Sequence, residues 1–532
     1  MRTVPGISSA DFAAAVAEWQ GAVGKEWVFT SDEDLDPYRD SYSPIRDEKT
    51  ERHASAAVAP ASVEEVQAVV RIANRRRIPL YPISTGRNLT YGGSAPVYSG
   101  SVILDLKRMN RILEVSEKNA CALVEPGVSY FDLYRHIREN KLKLWIDCPD
   151  PGWGSPLGNA LDHGAGYTNT PFRDHFDAHC GMEVVLADGE VLRTGMGALP
   201  GAQTWQQFKY GMGPIVDGLF AQSNFGVVTK MGFWLMPQPE TALLATVAAP
   251  RYRDGVRFCD TLISLIYEDV LKSQTQVVSP VLMGPPDAEL GPLLHRWDEG
   301  RESALDAYAQ RKGLPFWTAP VALYGPQSVV RAQWAYVKER FSAITGATFS
   351  EDASYTFPLT DEQVGKVIDK TRLGIPNLAY FASRSAPDAP PLEGHMDFSP
   401  IVPMDGKVIV SALDLFAKAC QELGINPLGG RPLFYHTRTA TLIYAIPVGR
   451  DPAANKKARE AFAKLMDIGA AHGWGEYRIH PEFMDKGVGY YSFNNHALLR
   501  FQEKLKDAAD PNGILSAGRY GIWPKHLRDT AR

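Results

Sequence analysis

Apolar residues recur with two periods along this chain. In residues 11–24, Phe12, Val16 and Trp19 fall on one face of a 3.6-residue repeat, which predicts a short helix. Ser62-Val63-Glu64-Glu65 supplies an N-cap and an acidic first turn. A helix through Asn74 follows, with Val66, Val69, Val70 and Ile72 turned inward. Residues 130–140 read as another helix. Short apolar runs at 78–82, 101–106 and 120–124 read as strands. Residues 182–186 and 191–194 flank Ala187-Asp188-Gly189-Glu190, and the Asp-Gly pair predicts a hairpin. The texture changes near Pro237-Gln238-Pro239. Beyond it, helices are expected near 299–312, 327–345, 406–423 and 453–472, and strands at 241–249 and 440–447. A Pro-rich run at 385–391 reads as a loop, and a last helix is expected near 497–508.

At 532 residues the chain exceeds what one core supports, so two or more domains of mixed α+β character are expected. A net charge of −5 and the lack of any basic run argue against a nucleic-acid partner. No apolar run is long enough to cross a bilayer, and residues 1–6 lack the apolar core of a signal peptide. Five scattered cysteines, Cys121, Cys148, Cys180, Cys259 and Cys420, include no C-x-x-C pair. Neither a disulfide scaffold nor a metal site is expected. The reading is a reduced cytoplasmic protein with buried thiols; a periplasmic location is the alternative if it is exported with a redox partner.

The densest chemical signal is Ile83-Ser84-Thr85-Gly86-Arg87-Asn88-Leu89-Thr90-Tyr91-Gly92-Gly93, directly after a predicted strand. Small residues there let backbone N–H groups approach a diphosphate. The pattern is neither G-x-G-x-x-G nor a P-loop. An ordinary turn would also use such residues. Three further segments follow in order: Leu123-Val124-Glu125-Pro126-Gly127-Val128, then Gly158-Asn159-Ala160-Leu161-Asp162-His163-Gly164-Ala165-Gly166-Tyr167-Thr168, then Ser223-Asn224-Phe225-Gly226-Val227-Val228-Thr229-Lys230-Met231-Gly232. Together the four segments resemble the FAD-binding half of the vanillyl-alcohol oxidase and p-cresol methylhydroxylase flavoprotein family, and the likeness runs through most of the chain. The resemblance implies a two-domain α+β fold of the PCMH type. It places an FAD-binding domain at 1–240, a substrate-binding cap at 241–499 and a return to the FAD domain at 500–532. It implies that Ser84, Thr85, Gly86, Arg87, Asn88, Gly158, Asn159, Gly226, Val228 and Arg519 hold FAD.

The same resemblance assigns roles around the flavin. His395, in Gly394-His395-Met396-Asp397-Phe398-Ser399-Pro400, matches the histidine that the oxidase branch bonds covalently to FAD. A neutral imidazole nitrogen is a competent nucleophile for that bond. Arg384 falls near the linking tyrosine of the hydroxylase branch. Tyr91, Tyr477 and Arg478 match a trio that holds a substrate phenol as phenolate; two phenol donors and a permanent cation favour the anion. Asp150 matches an oxidase-branch carboxylate near the flavin, placed to take a proton from water attacking a quinone methide. An Asx-turn before Pro-Gly is the plainer use of an aspartate there, and Asp147 fits that use better. Arg519 stands where oxidases carry Lys. His436 falls near a family histidine pair, one residue out of register.

Asp150 and His395 are oxidase-like. Ala178-His179-Cys180-Gly181-Met182, Phe208-Lys209-Tyr210-Gly211 and Lys230-Met231-Gly232-Phe233-Trp234-Leu235-Met236-Pro237 are hydroxylase-like, including the branch that acts on eugenol. The expected activity is oxidation or hydroxylation of para-substituted phenols of eugenol, 4-alkylphenol or vanillyl-alcohol type. Electrons pass to a cytochrome c or azurin-like acceptor, with O₂ reduced to hydrogen peroxide as the alternative. No C-x-x-C-H occurs, so any haem belongs to a partner. The remaining partner expectation is a homo-oligomer, a dimer. Two rivals stand beside this reading: the same fold acting on hydroxy acids or sugars, and a flavin-binding protein without catalysis.

Overall fold

The computed structural model describes residues 3–284, 287–379 and 393–531. Arg384 and the Pro-rich run at 385–391 lie outside the described residues. The first part of the chain builds two larger sheets and a two-stranded one that pairs Leu144–Trp145 with Met236–Pro237. One is four-stranded in the order Val28–Phe29, Ala56–Val58, Val102–Asp105, Leu80–Ile83. Its last three strands run parallel, and all four positions of Val102–Asp105 are buried. Such continuous apolar runs are what a parallel strand covered on both faces requires. Helices Ser9–Val23 and Val63–Arg76 cover it, burying Phe12, Val16, Trp19, Val66, Val69 and Val70. The second helix begins at the expected cap, where the Ser62 side chain accepts from Glu65 N–H. It runs two residues past Asn74 and stops at Arg77, which takes a left-handed φ of 54°.

The other sheet is five-stranded and antiparallel: Ile112–Ser116, Cys121–Val124, Val227–Trp234, His179–Val185, Val191–Arg193. Its last two strands are the expected hairpin, with Gly189 at φ 83° in the turn. Helix Tyr130–Glu139 packs on this sheet through Leu133 and Ile137.

Residues beyond 240 build two more antiparallel sheets. Thr241–Ala249 is the centre of one, between Trp317–Gly325 and Thr348–Thr356. The other runs Thr275–Gln276, Leu428–Phe434, Thr439–Val448, Gly394–Phe398, and Ile401–Pro403 also pairs with Thr439–Val448. Helices Gly255–Tyr267, Gln327–Phe341, Gly406–Glu422 and Pro452–Ala471 carry the aromatic core, where Phe398 meets Phe416 edge-on at 5.0 Å. The helix expected to reach residue 345 ends at Phe341. There the Ser342 hydroxyl donates back to the Lys338 carbonyl, a bond that competes with helix continuation.

The C-terminal segment returns to the first sheet. Leu80 N–H donates to the Ile514 carbonyl at 2.6 Å, and Ser516 N–H donates to the Leu80 carbonyl at 2.8 Å. A fully buried ion pair locks the return: Lys506 Nζ lies 2.8 Å from Asp510 Oδ2. The same ammonium donates to the Asn224 and Leu515 carbonyls, both at 2.7 Å. All three ammonium protons are thus used, which a buried charge needs. The five cysteines are free and buried.

Candidate active site

Strand Leu80–Ile83 ends at the glycine-rich loop, and the loop opens into a cleft. Ser84, Thr85, Gly86, Arg87, Asn88, Gly158, Asn159, Gly226, Val228 and Arg519 all line that one cleft. They come from four stretches of chain that only the fold brings together. The walls approach closely: a Cβ on Gly158 would sit 2.1 Å from Ser84 Oγ. Gly86 has a φ of 68°, and Ser94 Oγ donates to its carbonyl at 3.1 Å. The N–H groups of Thr85, Gly86, Arg87 and Asn88 find no protein acceptor among the described residues. Backbone donors are rarely left so, and a row of them along a cleft suits an anionic diphosphate. The residues present therefore fit FAD.

A second cavity adjoins the first, and Arg87, Asn88, Asn159 and Arg478 line both. Tyr91, Asp150, His395, Tyr477 and Arg478 all line this second cavity. The turn at Asn88 aims Tyr91 inward, since the Asn88 carbonyl accepts from Tyr91 and Gly93 N–H at 3.2 and 2.9 Å. The Arg478 guanidinium stacks over the rings of Tyr91 and Tyr477, 4.3 and 4.9 Å from their centroids. Its Nε is buried with no hydrogen-bond partner among the described residues. Burial disfavours the Arg478 charge, but the Tyr477, Tyr91 and Asp162 oxygens outweigh it and hold its pKa up. Burial likewise raises both tyrosines, Tyr477 to about 12, against the lowering pull of Arg478. At neutral pH the site therefore presents two neutral hydroxyls and one cation. The Tyr477 hydroxyl donates to the His163 carbonyl, and Tyr435 stacks 6.2 Å away.

His395 sits fully buried in strand Gly394–Phe398, opposite Pro447. Its ring lies 5.2 Å from that of Tyr42, and Nε2 is 3.5 Å from Asp397 Oδ1. Asp150 accepts from the Tyr167 hydroxyl at 2.8 Å. Asp147 is not the Asx-turn acceptor expected. Its buried carboxylate accepts from Thr168 N–H at 2.7 Å and from the Thr168 hydroxyl, and meets His175 Nε2 at 2.9 Å. His175 Nδ1 in turn meets Asn159 Oδ1 at 2.6 Å. A buried carboxylate needs such partners more than an exposed turn does, and the fold supplies them from residues distant in sequence. Arg519 is half-buried and pairs with Asp162 at 2.7 Å. His436 pairs with Asp174 at 3.0 Å and lies 6.0 Å from the Tyr477 ring.

Several residues here escaped the sequence reading. Tyr167, Arg431 and Tyr435 line the second cavity, and Asp162 lines the first. Asp162 stood inside a segment already singled out, beside Gly158-Asn159, and Tyr520 directly follows Arg519. That adjacency was the available signal. Arg431 follows Gly429-Gly430, a bulge in its strand that no periodicity reveals.

A family profile described as an FAD binding domain matches residues 54–195. The hydroxylating 4-cresol dehydrogenase flavoprotein subunit of Pseudomonas putida is 34% identical, over 97% of both chains. The structure is similar to that of 4-ethylphenol oxidase from Gulosibacter chungangensis, with a TM-score of 0.85 and 35% identity over 99% of this chain and 100% of that one. It is equally similar to substrate-bound p-cresol methylhydroxylase, with a TM-score of 0.85 and 32% identity over 98% of each. The open row of backbone donors, the cleft that accepts FAD and these full-length likenesses lead to one assignment: the chain belongs to the PCMH-type FAD-binding flavoprotein family and is an FAD-dependent oxidoreductase.

Proposed function

We propose that this enzyme oxidises para-substituted phenols at the carbon next to the ring, with FAD lying where the two cavities meet. The observation that carries the reading is the trio of Tyr91, Tyr477 and Arg478 around one cavity, with the guanidinium stacked on both rings. When bound, FAD supplies a two-electron hydride acceptor. The protein's own residues do the rest. Arg478 and the two neutral tyrosines bind the guest phenol as its anion. The Tyr477 proton swings from the His163 carbonyl to the guest oxygen. Negative charge on that oxygen favours hydride departure from the para substituent and yields a quinone methide. Asp150, held by Tyr167, takes a proton from water that adds to it. An alcohol substrate gives the aldehyde instead.

His395 is proposed as the covalent FAD ligand, its imidazole steadied by Tyr42 and Asp397. The cleft residues from Ser84 to Asn88, with Gly158, Asn159, Gly226, Val228 and Arg519, are proposed to hold the rest of FAD. The proposed working form is a homodimer. The proposed acceptor is a small redox protein such as a cytochrome c or azurin. Support comes from the hydroxylase-like segments, Arg519 and the likeness to a dehydrogenase subunit. O₂ is the second reading, favoured by Asp150, His395 and the likeness to a 4-ethylphenol oxidase. Anaerobic mixing with a 4-alkylphenol or a eugenol-type phenol is the direct test. Flavin bleaching is expected with phenols and not with their O-methyl ethers; equal bleaching, or none, removes the reading. Reoxidation of the reduced enzyme by air, with stoichiometric peroxide, would make it an oxidase.

A further inference from the structure

Asp162 lines the cofactor cleft, and its carboxylate meets residues from three other stretches of chain. It follows helix Pro156–Leu161 and is 5% exposed. Its Oδ1 accepts from Arg519 Nη2 at 2.7 Å and from the Tyr520 hydroxyl at 2.9 Å. Its Oδ2 accepts from Asn88 Nδ2 at 2.9 Å and lies 3.9 Å from Arg478 Nη1. Arg519 is fixed on its other side by the Tyr81 hydroxyl at 3.1 Å. One carboxylate therefore faces two largely covered guanidiniums, 16% and 11% exposed. It makes a direct, hydrogen-bonded pair with Arg519 and only a long contact with Arg478.

The arithmetic of charge follows. Two cations and one anion leave the group with a single positive charge. Direct pairing places the neutralised half at Arg519, in the cofactor cleft. The uncompensated half stays at Arg478, the residue that also lines the second cavity. A buried pair of like charges without an intervening anion would repel strongly in so dry a place. We propose that Asp162 is a positioning and charge-balancing residue: it neutralises Arg519, fixes it against Asn88 and Tyr520, and leaves Arg478 without a direct carboxylate partner, its charge available to the substrate oxygen. Its second half rests on the phenolate reading above; its first half needs only that FAD occupies the cleft. The titratable and charged groups lining that cavity are Tyr42, Tyr91, Tyr167, Tyr435, Tyr477, His395, Asp150, Asp397, Arg87, Arg431 and Arg478; of these, Tyr91, Tyr477 and Arg478 are the ones assigned to the phenol oxygen. Asp162 acts on it through Arg478.

The test uses the flavin-loaded Asp162→Asn enzyme, which keeps the side-chain shape and removes one negative charge. Two readouts are compared with the parent. An anaerobic redox titration is expected to show a higher flavin midpoint potential, because added positive charge favours the reduced flavin. Binding of 4-bromophenol, which has no para carbon to oxidise, is expected to reach half-saturation by ionisation at a pH lower by about one unit or more. Asp162→Glu is expected to restore both. A residue that merely packs would move neither. An Asp162→Asn protein that keeps its flavin, its potential and its pH midpoint overturns the inference. Where that variant fails to load flavin, Tyr520→Phe carries the test. It removes one donor to the carboxylate without changing charge, and a smaller shift of opposite sign is expected; no shift overturns the inference. A parent enzyme that binds no 4-bromophenol defeats the phenolate reading alone, and the potential still decides the role of Asp162.

Discussion

The two cavities that meet at Arg478 are built by different means. The cleft fitted to FAD is largely backbone: open N–H groups at 85–88 and glycines packed so closely that a Cβ on Gly158 has no room. The neighbouring cavity is made of side-chain ends, with Tyr91, Asp150, His395 and the adjacent Tyr477 and Arg478 arriving from four stretches of chain. Backbone donors are indifferent to which side chain they carry, whereas side-chain ends are lost by one substitution. The first cavity should therefore fail through loss of shape or support, and the second through loss of single groups.

The largest expected effect tests the proposed covalent link at His395. His395→Ala should release all flavin on acid denaturation, while the parent keeps fluorescent flavin on a denaturing gel. A parent that also sheds its flavin removes the covalent link. Next comes the support of the cleft. Lys506→Ala leaves Asp510 buried without its partner, which should cost about 3–5 kcal/mol in urea unfolding. A loss below about 1 kcal/mol would show that the C-terminal return does not depend on this pair.

Glu476 sets a pH slope. Burial raises its carboxyl to about 8, against the lowering bond from Ser399 N–H at 2.8 Å. The unfolded carboxyl ionises in its ordinary range, near 4.3. Between that range and about pH 8 the folded chain holds the extra proton, so stability falls as pH rises and the loss is complete above pH 8. Glu476→Gln should flatten the decline between about pH 5 and 8 in urea titrations. An unchanged slope assigns the decline elsewhere.

Within the second cavity, Arg478→Ala should weaken 4-bromophenol by about 1.5–3 kcal/mol, roughly ten- to a hundredfold or more. O-methyl ethers should bind poorly to both proteins. The smallest effect belongs to the cleft. Thr85→Ala keeps the backbone donor and should change FAD retention by about 0.5 kcal/mol or less. A large loss there would end the contrast between a backbone-built and a side-chain-built cavity.

Local signals carried much of this molecule. The Ser62 cap, the Phe12–Val16–Trp19 face and the Asp188-Gly189 turn each act within a few residues, so the chain states them openly. The last helix illustrates the limit of that rule. Residues 494–496 hold left-handed φ of 48–57°, so regular helix begins at 497, as the pattern predicts, although the helical segment starts at Phe493. The glycine-rich loop, its companion segments and the Tyr477-Arg478 pair were equally legible, because close backbone approach demands glycine and anion binding demands Arg.

What the sequence determined by itself was the mixed α+β fold, the FAD chemistry and the residue types around it. Tertiary structure alone decided which residues meet. Asp147 looked like a turn residue and became the buried partner of His175 and Thr168. Asp162 had no role assigned within its segment and became the carboxylate between two guanidiniums. The physical reason is common to both. A buried charge is tolerated only with partners, and those partners lie from about twenty residues away, as Thr168 does from Asp147, to more than three hundred, as Arg519 does from Asp162, beyond any local pattern.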